Sequence, residues 1–297
     1  MRVGFIGLGS IGTPMAKQIA AAGFPMTVHD VREEAASTLL DMGATWADSP
    51  AAVARECDTV CTCLPGPAEM ERVVLGDDGI LTGATAGTVY IDHTTNSPSV
   101  AQRIQGLLAE RGVEMLDAPV SGGKEGAETR DMTVLVGGAE STFEKVRPVL
   151  DAMAKTVMHV GDIGAGCVCK IAHNSASFSV ELAMVECLTL GVKAGIDPAV
   201  MVEVFQKCAV GRNFGIQVRL PAPLFNGDFD PRFALKLARK DIGLATELAQ
   251  AHDVPMPVVE LCEAEMSEAV SRGWADRDSS VFLTLQEERA GVQVRMG

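Results

Sequence analysis

The chain has 297 residues, room for one large domain or two ordinary ones. Hydrophobic residues make up 47% and charged residues 22%, which excludes a disordered chain. The net charge of −14 argues against a nucleic-acid backbone or an anionic membrane as partner, but not against a small anion, which responds to the local field. No apolar run reaches the ~20 uncharged residues of a membrane span. Met1 to Gly7 reads as a buried strand rather than a signal peptide. A soluble, cytoplasmic protein is expected. The eight cysteines include two C-x-C pairs, Cys61/Cys63 and Cys167/Cys169, but no C-x-x-C knuckle. They read as buried free thiols, and no metal site is expected.

Taken in chain order, the first half alternates between strand and helix. Arg2 to Ile6 is a β-branched, apolar run that leads straight into Gly7-Leu8-Gly9-Ser10-Ile11-Gly12. This G-x-G-x-x-G follows a strand and opens a helix, the setting its mechanism requires. Gly7 allows the tight turn, Gly9 lets the backbone approach a pyrophosphate, and Gly12 lets helix and strand pack closely. The helix N-terminus then presents N–H groups and a positive dipole end to the phosphates. Met15 and Ile19 give that helix one buried stripe, and Gly23 ends it. The next strand, Met26 to His29, is followed by Asp30. An acid there hydrogen-bonds the adenosine ribose hydroxyls and repels a 2′-phosphate, favouring NAD, while Arg32 keeps NADP open.

Further strands are read at Thr59 to Leu64, Thr88 to Asp92, Glu114 to Asp117, Thr133 to Val136 and Thr156 to Val160. Ser49-Pro50 and Ser97-Pro98 each read as an N-cap with proline at the first helical position. Strands apolar on both faces and alternating with helices imply a parallel sheet covered on both sides. Asp117-Ala-Pro-Val-Ser121-Gly122-Gly123 leaves a hydroxyl and two unencumbered amides in a turn. Such a loop can bind a carboxylate, although as an isolated string it is equally an ordinary turn.

After Val160 strand signals stop. Gly161-Asp-Ile-Gly164-Ala-Gly166 leads into one helical pattern running to Ala194, stopped by Gly195. Asp197-Pro198 caps the next helix. Ala234 to His252, Pro257 to Arg272 and Asp278 to Arg289 follow as helices. The expected architecture is an α/β Rossmann-type dinucleotide-binding domain, residues 1–162, followed by an all-α domain, residues 163–297. Lys170 and Asn174 are four apart and share one helical face near the boundary. A lysine in a dry cleft suits general acid–base work, whereas spacing alone slightly favours a surface lysine on a capping turn.

Together these strings resemble the β-hydroxyacid dehydrogenase family, which includes 3-hydroxyisobutyrate dehydrogenase, tartronate semialdehyde reductase and 2-(hydroxymethyl)glutarate dehydrogenase. The likeness runs from Val3-Gly4-Phe5-Ile6-Gly7-Leu8-Gly9 to Lys240-Asp241-Ile-Gly-Leu-Ala245. The resemblance implies Lys170 as the catalytic lysine and Asn174 as its substrate-orienting partner. It implies Ser121, Gly122 and Gly123 as the carboxylate loop, and Lys240 as a lysine reaching the active site near the nicotinamide. Leu64, Pro65 and Thr95 would line the cofactor beside Gly7 to Gly12 and Asp30. Thr94-Thr95 stands where the family usually has Ser-Ser or Ser-Thr, and His173 replaces a smaller residue and is expected to reshape the pocket.

The implied activity is NAD(P)-dependent interconversion of a small β-hydroxy acid and its semialdehyde or keto form. The implied partner is a small carboxylic acid. An imine reductase on the same scaffold and a non-catalytic dinucleotide-binding protein are the alternatives. The apolar character of the long helix predicts burial against another subunit, in a homodimer or homotetramer. Arg212, in Gly211-Arg212-Asn213-Phe214, is expected to read a distal polar or acidic group on the substrate, against a solvated surface arginine or an intersubunit salt bridge.

Overall fold

The computed structural model describes residues 1–208 and 215–296. Two compact units result, Met1–Lys170 and Ile171–Gly297. The division falls inside a helix, eight residues past residue 162. The reason is that the first turns of that helix pack on the sheet: Cys167 belongs to the same apolar cluster as Tyr90, Ile104 and Met115.

The first unit is a nine-stranded sheet with helices on both faces. Its strands are β1 (Val3–Ile6), β2 (Met26–His29), β3 (Thr45–Trp46), β4 (Thr59–Thr62), β5 (Val89–Asp92), β6 (Glu114–Asp117), β7 (Val120–Ser121), β8 (Thr133–Gly137) and β9 (Thr156–Gly161). The order is β3-β2-β1-β4-β5-β6-β8-β7, with β9 on the other side of β8. Strands β1 to β6 pair in parallel. The sheet is not parallel throughout, because β8 runs antiparallel to β6 and β7 and parallel to β9. Alternate residues supply two cores: Val89, Ile91 and Leu116 on one face, Tyr90 and Met115 on the other. That two-sided burial explains why these strands read as continuous apolar runs.

The register aligns the last residues of the central strands. Ile6 pairs with His29 and Thr62, Thr62 with Asp92, and Asp92 with Asp117. Every loop of interest in this unit therefore leaves the same carboxyl edge. The strand order reverses its progress across the sheet between β1 and β4, the crevice where such sheets bind ligands.

Among the capping signals of this unit, Ser49 and Gly23 act as read and Ser97 does not. The Ser49 hydroxyl accepts from the Ala52 amide at 3.2 Å, and Gly23 adopts a φ of +90°. Ser97 occupies the cap position of Pro98–Ala109, but its hydroxyl bonds Ser99 at 2.8 Å instead of the helix amides.

The second unit is helical, with one isolated bridge, Ala234 to Asp278, among its described residues. The long helix, Ala165–Lys193, enters from the first unit. Pro198–Lys207 follows, with the Asp197 carboxylate accepting from Ala199 and Val200 amides. Leu235–Ala251 and Pro257–Ala269 pack together around Ile171, Phe225, Phe282 and Met266. The stretch from Pro257 to Arg272 is not one helix, since a wider turn takes over at Val270–Trp274, where Gly273 has a φ of +85°. The last segment divides into a tight turn, Ser279–Leu283, and a helix, Thr284–Ala290. Among the described residues, Ala165–Lys193 alone is long and apolar enough to cross a membrane by length and composition. Mean hydropathy reaches 1.4 over eighteen residues, and half of that window is buried within the protein.

Candidate active site

The glycine loop at the end of β1 is shaped for a ligand. Gly7 has a φ of +92°, and a Cβ on Gly12 would stand 1.9 Å from the Gly7 carbonyl oxygen. Those two glycines serve the chain itself. A Cβ on Gly9 would meet no protein atom within 4 Å. Gly9 thus faces a concavity of about 230 Å³, bordered by Ser10, Thr13, Lys17 and Lys124. The amides of Gly9 to Gly12 precede the first bonds of the Gly12–Ala21 helix, which begin with the Thr13 amide donating to the Gly9 carbonyl at 3.0 Å. This is the cradle a dinucleotide pyrophosphate fits.

Asp30, one residue past β2, folds back on that loop. One carboxylate oxygen accepts from the Leu8 amide at 2.7 Å and the other from the Arg32 amide at 2.9 Å. Only 10% of the Asp30 side chain is exposed, against 63% of Arg32, whose Nε lies 3.9 Å away. The acid is therefore fixed by backbone, and the arginine is a solvated side chain near it.

The next two loops are tied together beneath Leu64, Pro65 and Thr95. The Leu64 amide donates to the Thr94 hydroxyl at 3.1 Å. Fully buried Asp92 accepts from the Thr62 hydroxyl at 2.8 Å, the Thr94 amide at 3.1 Å and the Asn96 side chain at 3.2 Å. Burial pushes the Asp92 carboxyl up, and the Thr94, Thr62 and Asn96 donors partly offset it. His93 is buried beside Phe5, with Nδ1 2.8 Å from the Ala118 carbonyl. A carbonyl only accepts, so Nδ1 carries a proton. Burial lowers the ring's pKa to about 4.

Ser121 ends β7, and Gly122 and Gly123 follow with φ of +141° and +63°. A Cβ on Gly123 would meet nothing within 4 Å, whereas one on Gly122 would press on Asp131 and Met132, so this glycine pair can leave main-chain amides to an anion beside the serine. Asp117, at the head of the same string, is wholly buried. It accepts from the Gly164 amide and the Cys167 amide, each at 2.7 Å. One carboxylate thereby fastens the carboxylate loop's strand to the start of the long helix. Burial pushes the Asp117 carboxyl up, and those two amides pull against it.

Lys170 lies one turn further along, with 9% exposed, so it is a buried lysine rather than a capping-turn lysine on the surface. In the second unit, Asn174 donates from Nδ2 to Asp241 at 2.7 Å. The other Asp241 oxygen lies 2.7 Å from Lys240 Nζ. Asp241 is itself buried; it holds Asn174 by a directed hydrogen bond and faces Lys240 by charge, since that second oxygen makes no hydrogen bond. Because a carboxylate only accepts, this bond sets the amide orientation of Asn174 and leaves Oδ1 on the far side, 3.2 Å from His173 Nδ1. Lys240 also borders a concavity of about 270 Å³ with Lys236, Arg239 and Gly243. Arg212 lies outside the described residues. Among the described residues, no three His, Cys, Asp or Glu side chains gather as a metal site.

The sequence reading missed Asp92, Asp117 and Asp241 as organisers. Two of them stood inside motifs that were quoted for other residues.

Comparison with known proteins bears on both units. Residues 2–161 match the NAD binding domain of 6-phosphogluconate dehydrogenase. Residues 164–285 match the NAD-binding domain of NADP-dependent 3-hydroxyisobutyrate dehydrogenase. The chain is 35% identical to 2-(hydroxymethyl)glutarate dehydrogenase of Eubacterium barkeri, over 100% of this chain and 98% of the relative. It is 34% identical to the NAD-dependent L-serine dehydrogenase of Pseudomonas aeruginosa, over 98% and 99%. The crystal structure of 3-hydroxyisobutyrate dehydrogenase from Salmonella typhimurium superposes with a TM-score of 0.87 at 31% identity, covering 96% of this chain and 99% of the other.

Proposed function

Because the chain belongs to the β-hydroxyacid dehydrogenase family of NAD(P)-dependent hydroxyacid oxidoreductases, we propose that Lys170 is its general acid–base and NAD its cofactor. The observation that carries this reading is the buried Lys170, one turn from Asn174 on a helix whose start is held by Asp117 of the carboxylate-loop string.

The substrate carboxylate rests on the Ser121 hydroxyl and the amides of Gly122 and Gly123. Asn174, held by Asp241, orients the β-hydroxyl, and Lys240 supplies positive charge nearby. Lys170 Nζ takes the hydroxyl proton as the C–H bond breaks, and in the reverse direction returns it to the carbonyl oxygen. The nicotinamide, when bound, accepts or returns the hydride. Leu64, Pro65 and Thr95 line its place.

NAD is favoured because Asp30 holds a fixed, largely buried negative charge at the end of β2, where a 2′-phosphate would have to lie. Arg32 is exposed, and its charge is already faced by that acid. Initial rates with a panel of β-hydroxy acids, each with NAD and NADP, test the whole reading. Turnover of at least one β-hydroxy acid, faster with NAD, is expected; no turnover with any of them overturns it.

The second unit also exposes Leu190, Val200, Val204, Val258 and Leu261. Exposed aliphatics in that number favour a homo-oligomer joined through this unit. Sedimentation equilibrium that returns a monomer of 31.2 kDa would sink that part.

A further inference from the structure

Between β6 and β7 the chain crosses through Ala118 and Pro119, and Ser121 to Gly123 hang from that crossing. Proline has no amide, so the two residues offer three main-chain polar groups by which they can be held. The Ala118 amide donates to the Asp92 carbonyl at 2.7 Å, and the Pro119 carbonyl accepts from the Leu135 amide at 3.0 Å. The third group, the Ala118 carbonyl, is met by a side chain, His93 Nδ1 at 2.8 Å. Residue 118 is thus gripped at both ends by two consecutive residues where β5 ends. Beyond the crossing, the two-residue β7 pairs with β8 alone, at the end of the strand order. Its placement therefore depends on the segment that leads into it.

The rest of the His93 ring is held by packing. It is buried and stacks on Phe5 with centroids 6.5 Å apart. Its Nε2 is also buried and meets no hydrogen-bond partner among the described residues. An apolar side chain would fill the same space without leaving a buried nitrogen unpaired. What the imidazole adds beyond volume is the single bond it donates to Ala118. The residue after it serves the opposite neighbour, since the Thr94 hydroxyl accepts from the Leu64 amide at 3.1 Å. The end of β5 thus holds the loops on both of its sides.

We propose that His93 is a positioning residue for the substrate carboxylate. Through the Ala118 carbonyl it fixes the crossing, and with it the Ser121 hydroxyl and the amides of Gly122 and Gly123. It touches neither substrate nor cofactor in this role. The inference rests on the proposed reading of Ser121 to Gly123 as the carboxylate loop.

Two replacements of equal shape separate the donated bond from the ring. His93→Asn and His93→Leu both branch at Cγ and both give up the stack on Phe5. Only asparagine carries an N–H at the place of Nδ1. Their urea midpoints should therefore fall together. The deciding measurement needs no turnover: the Kd of 3-hydroxypropanoate, or of whichever β-hydroxy acid of the panel binds best, for the protein saturated with reduced cofactor. Nicotinamide fluorescence reports it. His93→Leu should raise that Kd, and KM for the acid, by about tenfold, with KM for the cofactor little changed. His93→Asn should recover most of the loss. His93→Met also lacks a donor and serves if the leucine variant does not fold. The proposal is overturned if the donor-free variant binds the acid as tightly as wild type. It is equally overturned if His93→Asn and His93→Leu weaken binding alike, because lost packing would then account for both. A wild type that binds no acid of the panel locates the failure in the proposed carboxylate loop, and the inference falls with it.

Discussion

Asp117 and Asp241 do the same job in the two units with different materials. Both are buried; Asp117 accepts hydrogen bonds through both oxygens, whereas Asp241 accepts one and meets Lys240 through the other as an ion pair only. Asp117 takes two backbone amides, Gly164 and Cys167. Asp241 takes two side chains, Asn174 and Lys240. The contrast extends through each unit. The sheet's carboxyl edge offers ligands main-chain groups: the glycine-loop amides, the amides of Gly122 and Gly123, and a helix start. The helical unit offers side chains held by other side chains. A site built from backbone fails when the chain conformation fails, whereas one built from side chains can lose function while the fold stays intact.

Lys170 is the last residue of the first unit, and its replacement should have the largest effect. Lys170→Ala is expected to lower kcat by about 10²–10⁴, the usual worth of a positioned acid–base group. Cofactor affinity, which rests on the glycine loop, should stay near wild type in a fluorescence titration. More than a tenth of wild-type kcat, under conditions where chemistry limits the rate, would remove Lys170 from the mechanism.

The two aspartates test the comparison directly. Asp117→Ala strands two buried amides, at about 1–3 kcal/mol each, so its midpoint in urea should drop markedly. Asp241→Ala frees two side chains, one of them partly solvated, and should cost much less stability. Its kcat/KM should nevertheless fall about tenfold or more, because Asn174 and Lys240 lose their common anchor. Equal stability losses in the two variants would abolish the distinction drawn between the units.

His93 sharpens the same contrast, because it ties β5 to the Ala118 carbonyl inside the first unit. Its folded pKa of about 4 lies below the ordinary 6.5. Above pH 6.5 neither state is protonated and the histidine has no linkage effect. As pH falls from 6.5 to 4, the unfolded chain takes up a proton that the folded one does not, so stability is lost across that window. The loss approaches the order of 3 kcal/mol by pH 4. The unfolding free energies of wild type and His93→Met should therefore converge or cross as pH falls through this range, relative to their separation at pH 7. The raised carboxyls of Asp92, Asp117 and Glu181 are common to both proteins and cancel in the difference. Parallel curves would mean that His93 titrates normally.

Legibility followed the same division. The strands of the first unit stood out because β-branched runs buried on both faces leave an unbroken apolar signature. Strands β3 and β7, two residues each, are too short for any periodicity to show. The glycine loop and Ser121 to Gly123 were readable because their chemistry is local. The organising carboxylates were not: Asp117 bonds residues 47 and 50 positions away, and Asn174 meets Asp241 across 67. Periodicity shows that a helix has a buried face but not which helix covers it. Ser97 misled for a local reason, since Ser99 competes for its hydroxyl.

The smallest expected effect concerns the cofactor, where Asp30 combines both materials. Its carboxylate supports the Leu8 amide, a backbone role, and in the proposed reading also sets the charge that meets a 2′-phosphate, a side-chain role. Two substitutions separate these. Asp30→Asn keeps an oxygen that can accept from Leu8 but removes the charge, so the NAD-over-NADP ratio of kcat/KM should narrow by about tenfold, ~1.4 kcal/mol, with KM for NAD little changed. Asp30→Ser is too short to reach Leu8, so it should narrow the ratio and also raise KM for NAD. If Asp30→Asn leaves the ratio untouched, the charge does not set selectivity and the acid serves only the loop. A wild type that works better with NADP would give the site to Arg32. In that case Arg32→Ala, rather than any change at Asp30, should collapse the preference.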